Sequence, residues 1–436
     1  MGDTQKILIL GASGLVGSQV ATILGNGNNH DIYCGARDTK TLTQRLPQVK
    51  VIYCNFLEDT SIDIWLPRLK GIDVVINCVG IFYHRNKNVI WQVHYETPKV
   101  LFEAAKKSKV KKIIQLSALG IEHYNTEYAK SKMAAEKFLT SLKIQHIILR
   151  PSLIYGANAR GSMALMKSLS ALPLIPLPGH GEQLFQPIHT TDLANAIKHI
   201  IEEDFSDSMI LAAVSSETIS LKNMFATIRQ WLGLKPPSFV YIPMRLIRIL
   251  GRLGSLFFYR TINTPAINML EQGNVATSDN TKQFQEKVNL VPKNFREGMQ
   301  SSPCSIQDYW HARLFFLRPL LRITLALMWL FTGLTSLALY PHKASYFLLN
   351  TVGIPALLQP VFLYGASILD GAIGLSLLIN YKTKINCIIQ IILILLYTLI
   401  ISFKLPYFWL DPFGPIVKNI PLLVSILILY VTEPRR

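Results

Sequence analysis

The chain has 436 residues, of which half are hydrophobic and only 16% are charged, a low share for a soluble protein. Its 44 Lys and Arg residues outnumber its 27 Asp and Glu residues, so the formal net charge is +17. A basic balance suits nucleic acid, acidic substrates or an anionic lipid surface. Because many basic residues flank apolar segments, and because basic and aromatic residues are not interleaved, we expect a lipid bilayer as partner and no nucleic acid.

The hydrophobic residues divide the chain into two parts. Residues 1–310 have the pattern of a soluble domain, whereas residues 314–436 hold long apolar runs with almost no charge. The five cysteines have no metal-ligand or CxxC spacing, so we expect no metal site and free thiols in a reducing cytosol. The first apolar run, Ile7 to Leu10, is too short for a secretion signal.

The glycines after this first run carry the clearest chemical signal. Ile7 to Leu10 has the composition of a buried parallel strand, and Gly11, Gly14 and Gly17 follow at GxxGxxG spacing. A helical pattern then covers Leu15 to Leu24. Glycines in this place permit a tight turn, and they let the backbone and the helix N-terminus approach a phosphate. The sequence therefore predicts a dinucleotide site, with a glycine turn that binds no ligand as the alternative.

The end of the second predicted strand, His30 to Gly35, bears on the choice of cofactor. An acidic side chain near this point would bind a free ribose 2′-hydroxyl. The sequence instead has Arg37, with Lys40 close by. Since a guanidinium suits a 2′-phosphate, we expect NADP(H) rather than NAD(H). A solvated Arg at a strand end is the alternative.

Strands and helices alternate along the rest of the first part. Apolar runs predict strands over 49–54, 73–78, 112–116 and 145–149, and helical patterns cover 89–106 and 127–142. Repeated strand–helix units predict an α/β fold with a doubly wound parallel sheet. Ligands of such sheets lie beyond the carboxyl ends of the strands, so Ser117, directly after a strand, is a candidate site residue.

Tyr128 and Lys132 form a second candidate pair. They lie four residues apart on a predicted helix and therefore on one face. A nearby ammonium favours the phenolate and would lower the pKa of Tyr128 toward neutrality. Tyr128 could then exchange a proton with a substrate oxygen that Ser117 binds, while hydride moves to or from a nicotinamide. Without further context, such a pair is usually an ordinary surface pair.

The order of these motifs resembles the short-chain dehydrogenase/reductase superfamily. GASGLVG is followed by Ser117, by the YAKSK of Tyr128 to Lys132, by LRPSLIYG at 149–156 and by QPIHTTDLA at 186–194. The series is most similar to the atypical, extended members, the NAD(P)-dependent epimerase/dehydratase group. Within that group it resembles the branch of the nucleotide-binding accessory subunit of respiratory complex I. The resemblance covers about residues 5–290 and implies a Rossmann-type sheet with a small substrate lobe at about 157–310.

The resemblance also implies site residues. It implies that Ser117, Tyr128 and Lys132 are the catalytic residues of this chain. Tyr128 and Lys132 would also contact the cofactor. Arg37 would meet the adenosine ribose, and Asn55 would lie near the adenine, where many relatives carry Asp. His189 and Asp192 would belong to the substrate lobe. The remaining cofactor contacts, from the pyrophosphate to the nicotinamide, would be Gly11, Ser13, Gly14, Leu15, Val16, Gly17, Cys78, Val79, Gly80, Pro151, Ser152 and Ile154.

One departure from the family leaves two functions open. His94 stands in the helix before the Ser117 strand, where the family often has Asn. That change could disturb a proton relay, and the complex I relatives use the fold as a structural element that binds nucleotide. The pair of Tyr128 and Lys132 then either performs catalysis or mainly holds the nicotinamide ribose.

A basic segment in the lobe region suggests contact with lipid. Met244 to Arg260 holds four arginines with many apolar residues between them. Such a helix either lies in the lipid headgroup region or packs inside the substrate lobe.

The second part predicts a four-helix transmembrane domain. Four apolar runs cover 320–339, 361–379, 385–403 and 416–431, of which the last is marginal in length. The positive-inside rule would place three groups of basic residues in the cytosol together with the nucleotide domain. They are the basic residues before the first run, Lys382 with Lys384, and Arg435 with Arg436. RPLLRITLALMWLFTGLTSL and WLDPFGPIVKNIPLL resemble the DoxX-like membrane family over about 313–433. Asp370 lies within the second run, where a carboxylate is expensive and indicates a function.

Together these features predict a multi-pass protein of the bacterial inner membrane, with its N-terminal domain and C-terminus in the cytoplasm. We expect an NADP(H)-dependent oxidoreductase that acts on a hydrophobic or lipid-linked substrate. The alternative is a non-catalytic NADP(H)-binding assembly factor or redox sensor, whose membrane half recruits a respiratory partner. A transporter gated by nucleotide, dependent on Asp370, is a third possibility.

Overall fold

The computed structural model describes residues 4–27, 29–156, 161–203, 205, 207–256 and 264–433. Arg260, Arg435 and Arg436, which entered the sequence predictions, lie outside these ranges. The chain forms two compact units, Met1–Ala312 and Arg313–Arg436.

The first unit is an α/β unit with a seven-stranded sheet. The described strands of the whole unit are β1 (Lys6–Leu10), β2 (Asp31–Ala36), β3 (Lys50–Tyr53), β4 (Val74–Asn77), β5 (Lys112–Leu116), β6 (Gln145–Pro151), β7 (Ile154–Tyr155), β8 (Leu174–Pro178), β9 (Leu184–Phe185), β10 (Ile188–His189), β11 (Met209–Ala213), β12 (Ile219–Ser220) and β13 (Ser238–Ile242). Strands β1 to β6 and β11 form the seven-stranded sheet. The sheet has the order β3-β2-β1-β4-β5-β6-β11, and all of its pairs are parallel. The predicted doubly wound parallel sheet is confirmed.

Helices cover both faces of this sheet. The helices of this part of the chain are α1 (Leu15–Gly25), α2 (Thr39–Arg45), α3 (Ile62–Leu69), α4 (Lys87–Trp91), α5 (Thr97–Lys107), α6 (Glu127–Ser141), α7 (Ser162–Ser170), α8 (Thr190–Glu202), α9 (Leu221–Trp231), α10 (Met244–Leu256), α11 (Thr264–Gln272), α12 (Ser278–Val288), α13 (Phe295–Gln300) and α14 (Ile306–Leu314). Helices α1 and α8 lie on one face of the sheet and α3 and α5 on the other. A π-helical turn, Gln92–Glu96, joins α4 to α5. The sequence predicts this stretch as one helix.

Strand β1 shows why the sheet is buried on both faces. Ile7 and Ile9 point into the core shared with α1 and α8, whereas Leu8 and Leu10 point into the core shared with α3 and α5. All four side chains are fully buried. Because alternate side chains of a strand face opposite sides, a continuous apolar run fits a strand with helices on both sides.

Most of the strands and helices of residues 154–300 form the second lobe, whereas α8 and α12 pack into the core of the main sheet. The strand pairs of the second lobe are β7 with β10, β8 with β13, and β9 with β12. Tyr155, Phe225 and Phe295 lie in its core. Strand β11 comes from the same stretch of the chain, yet it pairs with β6 and completes the main sheet.

An ion pair fixes α6 to the end of β6. Arg150 donates from Nε to Glu136 Oε1 at 3.0 Å and from Nη2 to Glu136 Oε2 at 2.5 Å, and Glu136 is buried. We expect Glu136→Gln to lower the free energy of unfolding by about 1–3 kcal/mol, because it leaves the Arg150 charge with only the longer, more exposed contact to Glu122 at 3.4 Å. Lys137→Gln, at the exposed neighbouring position, should change it by less than about 0.5 kcal/mol. Chemical denaturation measures both, and equal stability of the two variants would contradict the prediction.

The second unit is all helical. Its helices are α15 (Leu317–Leu334), α16 (His342–Val352), α17 (Gln359–Leu378), α18 (Thr383–Lys404) and α19 (Asn419–Thr432). Three described helical stretches, Ile306–Leu339, Gln359–Leu378 and Thr383–Lys404, are long and apolar enough to cross a membrane. The predicted fourth span corresponds to α19, which has only 14 residues. Helix α16 does not correspond to any predicted span.

The packing of α15 against α17 places Asp370 inside the second unit. A Cβ on Gly333 of α15 would lie 2.8 Å from Ser367 O and 3.4 Å from Asp370 Cβ. This close approach buries Asp370, and its Oδ1 has no hydrogen-bond partner among the described residues.

Candidate active site

The glycine loop between β1 and α1 has the shape that a pyrophosphate requires. Gly11 has a φ of +78°, which favours glycine. A Cβ on Gly17 would lie 2.3 Å from Gly11 O and 3.0 Å from Ala12 Cα, so only glycine allows this loop to pack against α1. Helix α1 begins after Gly14 without a side-chain cap. Backbone N–H groups at its start can therefore meet a phosphate.

The other predicted residues of this loop differ in their exposure to solvent. Ser13 and Gly14 are exposed, whereas Val16 lies in the core beneath the sheet. Leu15 is half-buried and packs toward the second lobe. Val16 can reach a cofactor only through its backbone.

The end of β2 presents exposed basic groups. Arg37 and Lys40 are exposed. The acidic neighbour Asp38 caps α2, where it accepts a hydrogen bond from Thr41 N at 3.0 Å. Hydrogen bonds from Thr41 lower the pKa of Asp38. The carboxylate next to Arg37 in the chain thus caps its own helix.

Asn55 holds the turn after β3. Its Oδ1 accepts a hydrogen bond from Leu57 N at 3.2 Å, and its backbone N–H donates to Asp59 Oδ2 at 2.7 Å. Asp59 in turn pairs with Arg68 at 2.7 Å. The structure thus gives Asn55 a local role at the strand end, and its contact with adenine stays a prediction.

The segment after β4 meets the predicted catalytic residues. Asn77 accepts a hydrogen bond from Val79 N at 3.1 Å, which fixes the backbone next to Cys78. A Cβ on Gly80 would lie 3.5 Å from both His94 Nε2 and Lys132 Nζ. The backbone at Gly80 is therefore within van der Waals reach of both side chains. Burial raises the pKa of the Cys78 thiol to about 12, so this cysteine stays protonated at neutral pH.

Lys132 and Ser117 meet at the end of β5. Lys132 is buried and donates to Leu116 O at 2.8 Å. Burial lowers its pKa to about 8. The neighbouring Ser117 is 5% exposed, and its Oγ has no hydrogen-bond partner among the described residues. An unpaired buried hydroxyl costs free energy unless a ligand satisfies it.

Tyr128 lies between two rings. Its ring centroid is 5.2 Å from that of Phe82 and 5.2 Å from that of His94. Burial raises its pKa to about 12, so the expected lowering of this pKa is wrong for this structure. The physical reason is that the Lys132 ammonium donates to Leu116 O, while desolvation of the phenolate dominates at Tyr128.

His94 has a defined structural role in the π-helical turn. Its Nε2 accepts a hydrogen bond from Ile81 N at 3.1 Å, so Nδ1 carries the proton and donates to Ser131 Oγ at 3.2 Å. Burial, with a smaller contribution from Lys132, holds the His94 pKa well below its usual value. The imidazole is therefore neutral and supports the loop after β4. The sequence identified the position but not this contact, which joins two separate elements.

The segment after β6 is held by a residue that the sequence did not single out. Ser152 Oγ donates to Asn274 O at 3.1 Å, and Asn274 Nδ2 donates to Leu119 O at 3.0 Å. Pro151 and Ser152 are buried and Ile154 is half-buried. Because Asn274 lies 122 residues beyond Ser152, no local signal could have revealed it.

The two predicted lobe residues support the fold. His189 Nδ1 accepts a hydrogen bond from Thr191 N at 3.3 Å, and burial lowers its pKa. Asp192 accepts hydrogen bonds from Lys293 N at 2.9 Å and Lys293 Nζ at 2.7 Å. A cavity of about 730 Å³ lies elsewhere on the lobe, beside α9 and residues 234–237 and 294–296, and no predicted site residue lines it.

Comparisons with known proteins agree with these two units. Residues 7–210 match the NAD dependent epimerase/dehydratase family, and residues 326–427 match the DoxX-like family. A mitochondrial NADH dehydrogenase [ubiquinone] 1 alpha subcomplex subunit 9 from Arabidopsis thaliana is 25% identical over 239 residues, which cover 51% of this chain and 58% of the relative. A ceramide reductase from Caulobacter vibrioides is 22% identical over 262 residues, which cover 60% of this chain and 80% of the relative.

A solved structure shows the same fold. The UDP-glucuronic acid 4-epimerase from Bacillus cereus, in complex with UDP-glucuronic acid and NAD, has a TM-score of 0.55 at 16% identity. The match covers 71% of this chain and all of the epimerase. Residues 7–210 thus form a domain of the NAD dependent epimerase/dehydratase family, and residues 326–427 form a DoxX-like domain.

Proposed function

We propose that the protein is a membrane-anchored, NADP(H)-dependent oxidoreductase of the short-chain dehydrogenase/reductase type. The observation that carries this proposal is the unpaired, buried Ser117 Oγ next to Leu116, whose carbonyl binds Lys132. Tyr128 and Lys132 lie on one face of α6, four residues apart. A hydroxyl without a partner, a phenol and an ammonium at a strand end suit a substrate oxygen.

Tyr128, Ser117 and Lys132 would each have a different role in the reaction. When bound, the nicotinamide would supply or accept the hydride. Tyr128 holds its proton at neutral pH, because its pKa is raised to about 12, and would donate it to a substrate carbonyl oxygen. Ser117 would hydrogen-bond the same oxygen, and Lys132 would leave Leu116 O to contact the ribose and the phenol. The protonated phenol is the form that reduction of a carbonyl to an alcohol requires.

The membrane domain supports a hydrophobic or lipid-linked substrate. A soluble active site tethered to a bilayer has membrane-associated carbonyl compounds at high local concentration. We place the protein in the bacterial inner membrane, with the nucleotide domain and the C-terminus in the cytoplasm. Lys382, which lies between α17 and α18, and Lys384, in the first turn of α18, favour that orientation under the positive-inside rule.

Arg37 is the proposed determinant for NADP(H). We expect Arg37→Ala to weaken NADPH binding by about 10–100-fold, since it removes a charge-assisted hydrogen bond to the 2′-phosphate. The affinity for NADH, which lacks that phosphate, should stay unchanged. Arg45→Ala, at the other end of α2, is the control, and fluorescence titration measures all three proteins. An equal loss of NADH affinity would show that Arg37 does not distinguish NADPH from NADH by binding the 2′-phosphate.

The second candidate function is a non-catalytic NADP(H)-binding assembly factor or redox sensor of a respiratory complex. Two observations favour it: His94 occupies the position where the family often has Asn, and the chain is similar to a subunit of NADH dehydrogenase. Tight NADPH binding without turnover against quinones and lipid extracts would support this function. NADPH oxidation that depends on Tyr128 would support the enzyme.

A further inference from the structure

Helix α10 has an apolar stripe that faces away from the protein. Leu246, Ile249 and Leu250 are 52%, 50% and 49% exposed. They lie at positions i, i+3 and i+4 and therefore share one face of the helix. An apolar stripe at this spacing normally covers a protein core, so its exposure in a folded unit requires a partner.

The opposite side of α10 is already occupied. Gly251 is buried against α11, where a Cβ would lie 2.5 Å from Ile267 Cδ1. Gly179 N donates to Ile242 O at 2.8 Å, which fixes the strand that leads into the helix. Helix α10 is thus held in place by its inner face, and this packing leaves the stripe pointing outward.

The charge of the helix identifies the kind of partner. Arg245 and Arg252 lie beside the stripe, whereas Arg248 lies on the side that faces α11, and residues 244–256 contain no Asp or Glu. Arg248 is paired with Glu271, whereas Arg245 and Arg252 are exposed and have no acidic partner within the described ranges. An apolar face bordered by arginines suits the interface of an anionic bilayer, where the apolar side chains enter the acyl boundary and the arginines meet phosphates.

The rest of the chain supplies such a surface. Three helical stretches long enough to span a membrane follow the first unit in the same chain, so a bilayer is always within reach. The preceding strand β13 adds Val240 and Tyr241, which are also exposed. Tyrosine is enriched at membrane interfaces because its ring is apolar and its hydroxyl is polar.

We propose that the exposed face of α10 binds the surface of an anionic lipid bilayer. The face consists of Leu246, Ile249 and Leu250 with Arg245 and Arg252. The apolar side chains of this face would then enter the lipid interface to a fixed depth. This contact would attach the first unit to the bilayer in addition to the attachment that the membrane helices provide. The proposal does not depend on the proposed reaction, because it concerns a surface that no catalytic residue shares.

The test measures the depth of position 249 in the full-length protein. Ile249 is replaced by dansylalanine, and the protein is reconstituted into vesicles of equal parts phosphatidylcholine and phosphatidylglycerol. Brominated acyl chains quench the probe from the lipid, and iodide quenches it from water. The control carries dansylalanine in place of Gln283, which is exposed on α12. Thermal unfolding establishes that both labelled proteins are folded.

We expect brominated lipid to remove most of the emission at position 249 and little of it at position 283, with the reverse order for iodide. Adding R245E and R252E should decrease the lipid quenching at 249, because reversed charges repel phosphatidylglycerol. Iodide quenching at 249 as strong as at 283 would overturn the proposal. Protection at 249 from both quenchers would also overturn it, since the face would then be covered by protein, such as a second copy of the chain.

Discussion

Replacing Tyr128 by Phe is expected to reduce NADPH-dependent turnover by about 10²–10⁴-fold, the usual contribution of a positioned general acid. The phenyl ring keeps the contacts with Phe82 and His94, and only the proton donor is lost. NADPH affinity should therefore change by less than about twofold, since the variant keeps the contacts that bind the ground state and the transition state equally. Stopped-flow absorbance of NADPH with a membrane lipid extract measures turnover, and fluorescence titration measures binding.

Tyr124→Phe is the matched control for this experiment. Tyr124 also has a buried hydroxyl, which donates to Gly273 O at 2.9 Å. Its loss should cost about 1 kcal/mol of stability and leave turnover unchanged. If the two variants lose activity equally, the effect at Tyr128 is one of folding. If Tyr128→Phe keeps full turnover, Tyr128 is not the proton donor.

Replacing Gly17 by Ala is expected to weaken NADPH binding by at least about 100-fold, or about 3 kcal/mol. The new Cβ would lie 2.3 Å from Gly11 O and 2.8 Å from Gly11 C. Both atoms belong to the backbone, so the loop has to move away from α1, and overpacking of this kind typically costs about 1–3 kcal/mol of stability. Displacement of the loop also removes the N–H groups that would bind the pyrophosphate.

Gly27→Ala provides the control for the glycine loop. A Cβ at Gly27 would have its nearest neighbour, Leu24 O, at 3.6 Å, an ordinary contact. This variant should therefore retain stability and NADPH binding. Thermal unfolding and fluorescence titration separate the two effects, and NADPH binding by Gly17→Ala at the wild-type level would show that the nucleotide does not use this loop.

Local features of the sequence were sufficient for much of the fold. The apolar run before Gly11 and the glycine spacing predict β1, the turn and α1, because all three depend on neighbouring residues. The position of Ser117 follows from the rule for parallel strands. Strand β11 and the contact of Ser152 with Asn274 depend on residues far apart in the chain, and no periodicity reports them.

The predictions that were wrong or incomplete have physical causes of the same kind. The spacing of Tyr128 and Lys132 gives their shared face but not the carbonyl of Leu116, which takes the ammonium. The spacing therefore predicts a lowered pKa for Tyr128, whereas burial raises it. In the second unit, hydropathy located α19 but not its length of 14 residues. The exposure of the α10 stripe likewise depends on packing against α11, which a helical pattern cannot show.

The most direct test of the proposed reaction follows the hydride itself. The full-length protein in vesicles is incubated with NADPH carrying deuterium at the transferable C4 position and with a membrane lipid extract, and the lipids are analysed by mass spectrometry. We predict that one lipid class gains a single deuterium with wild-type protein and none with Tyr128→Phe. If NADPH binds both proteins but deuterium enters no lipid with either, the oxidoreductase function is contradicted for membrane lipids.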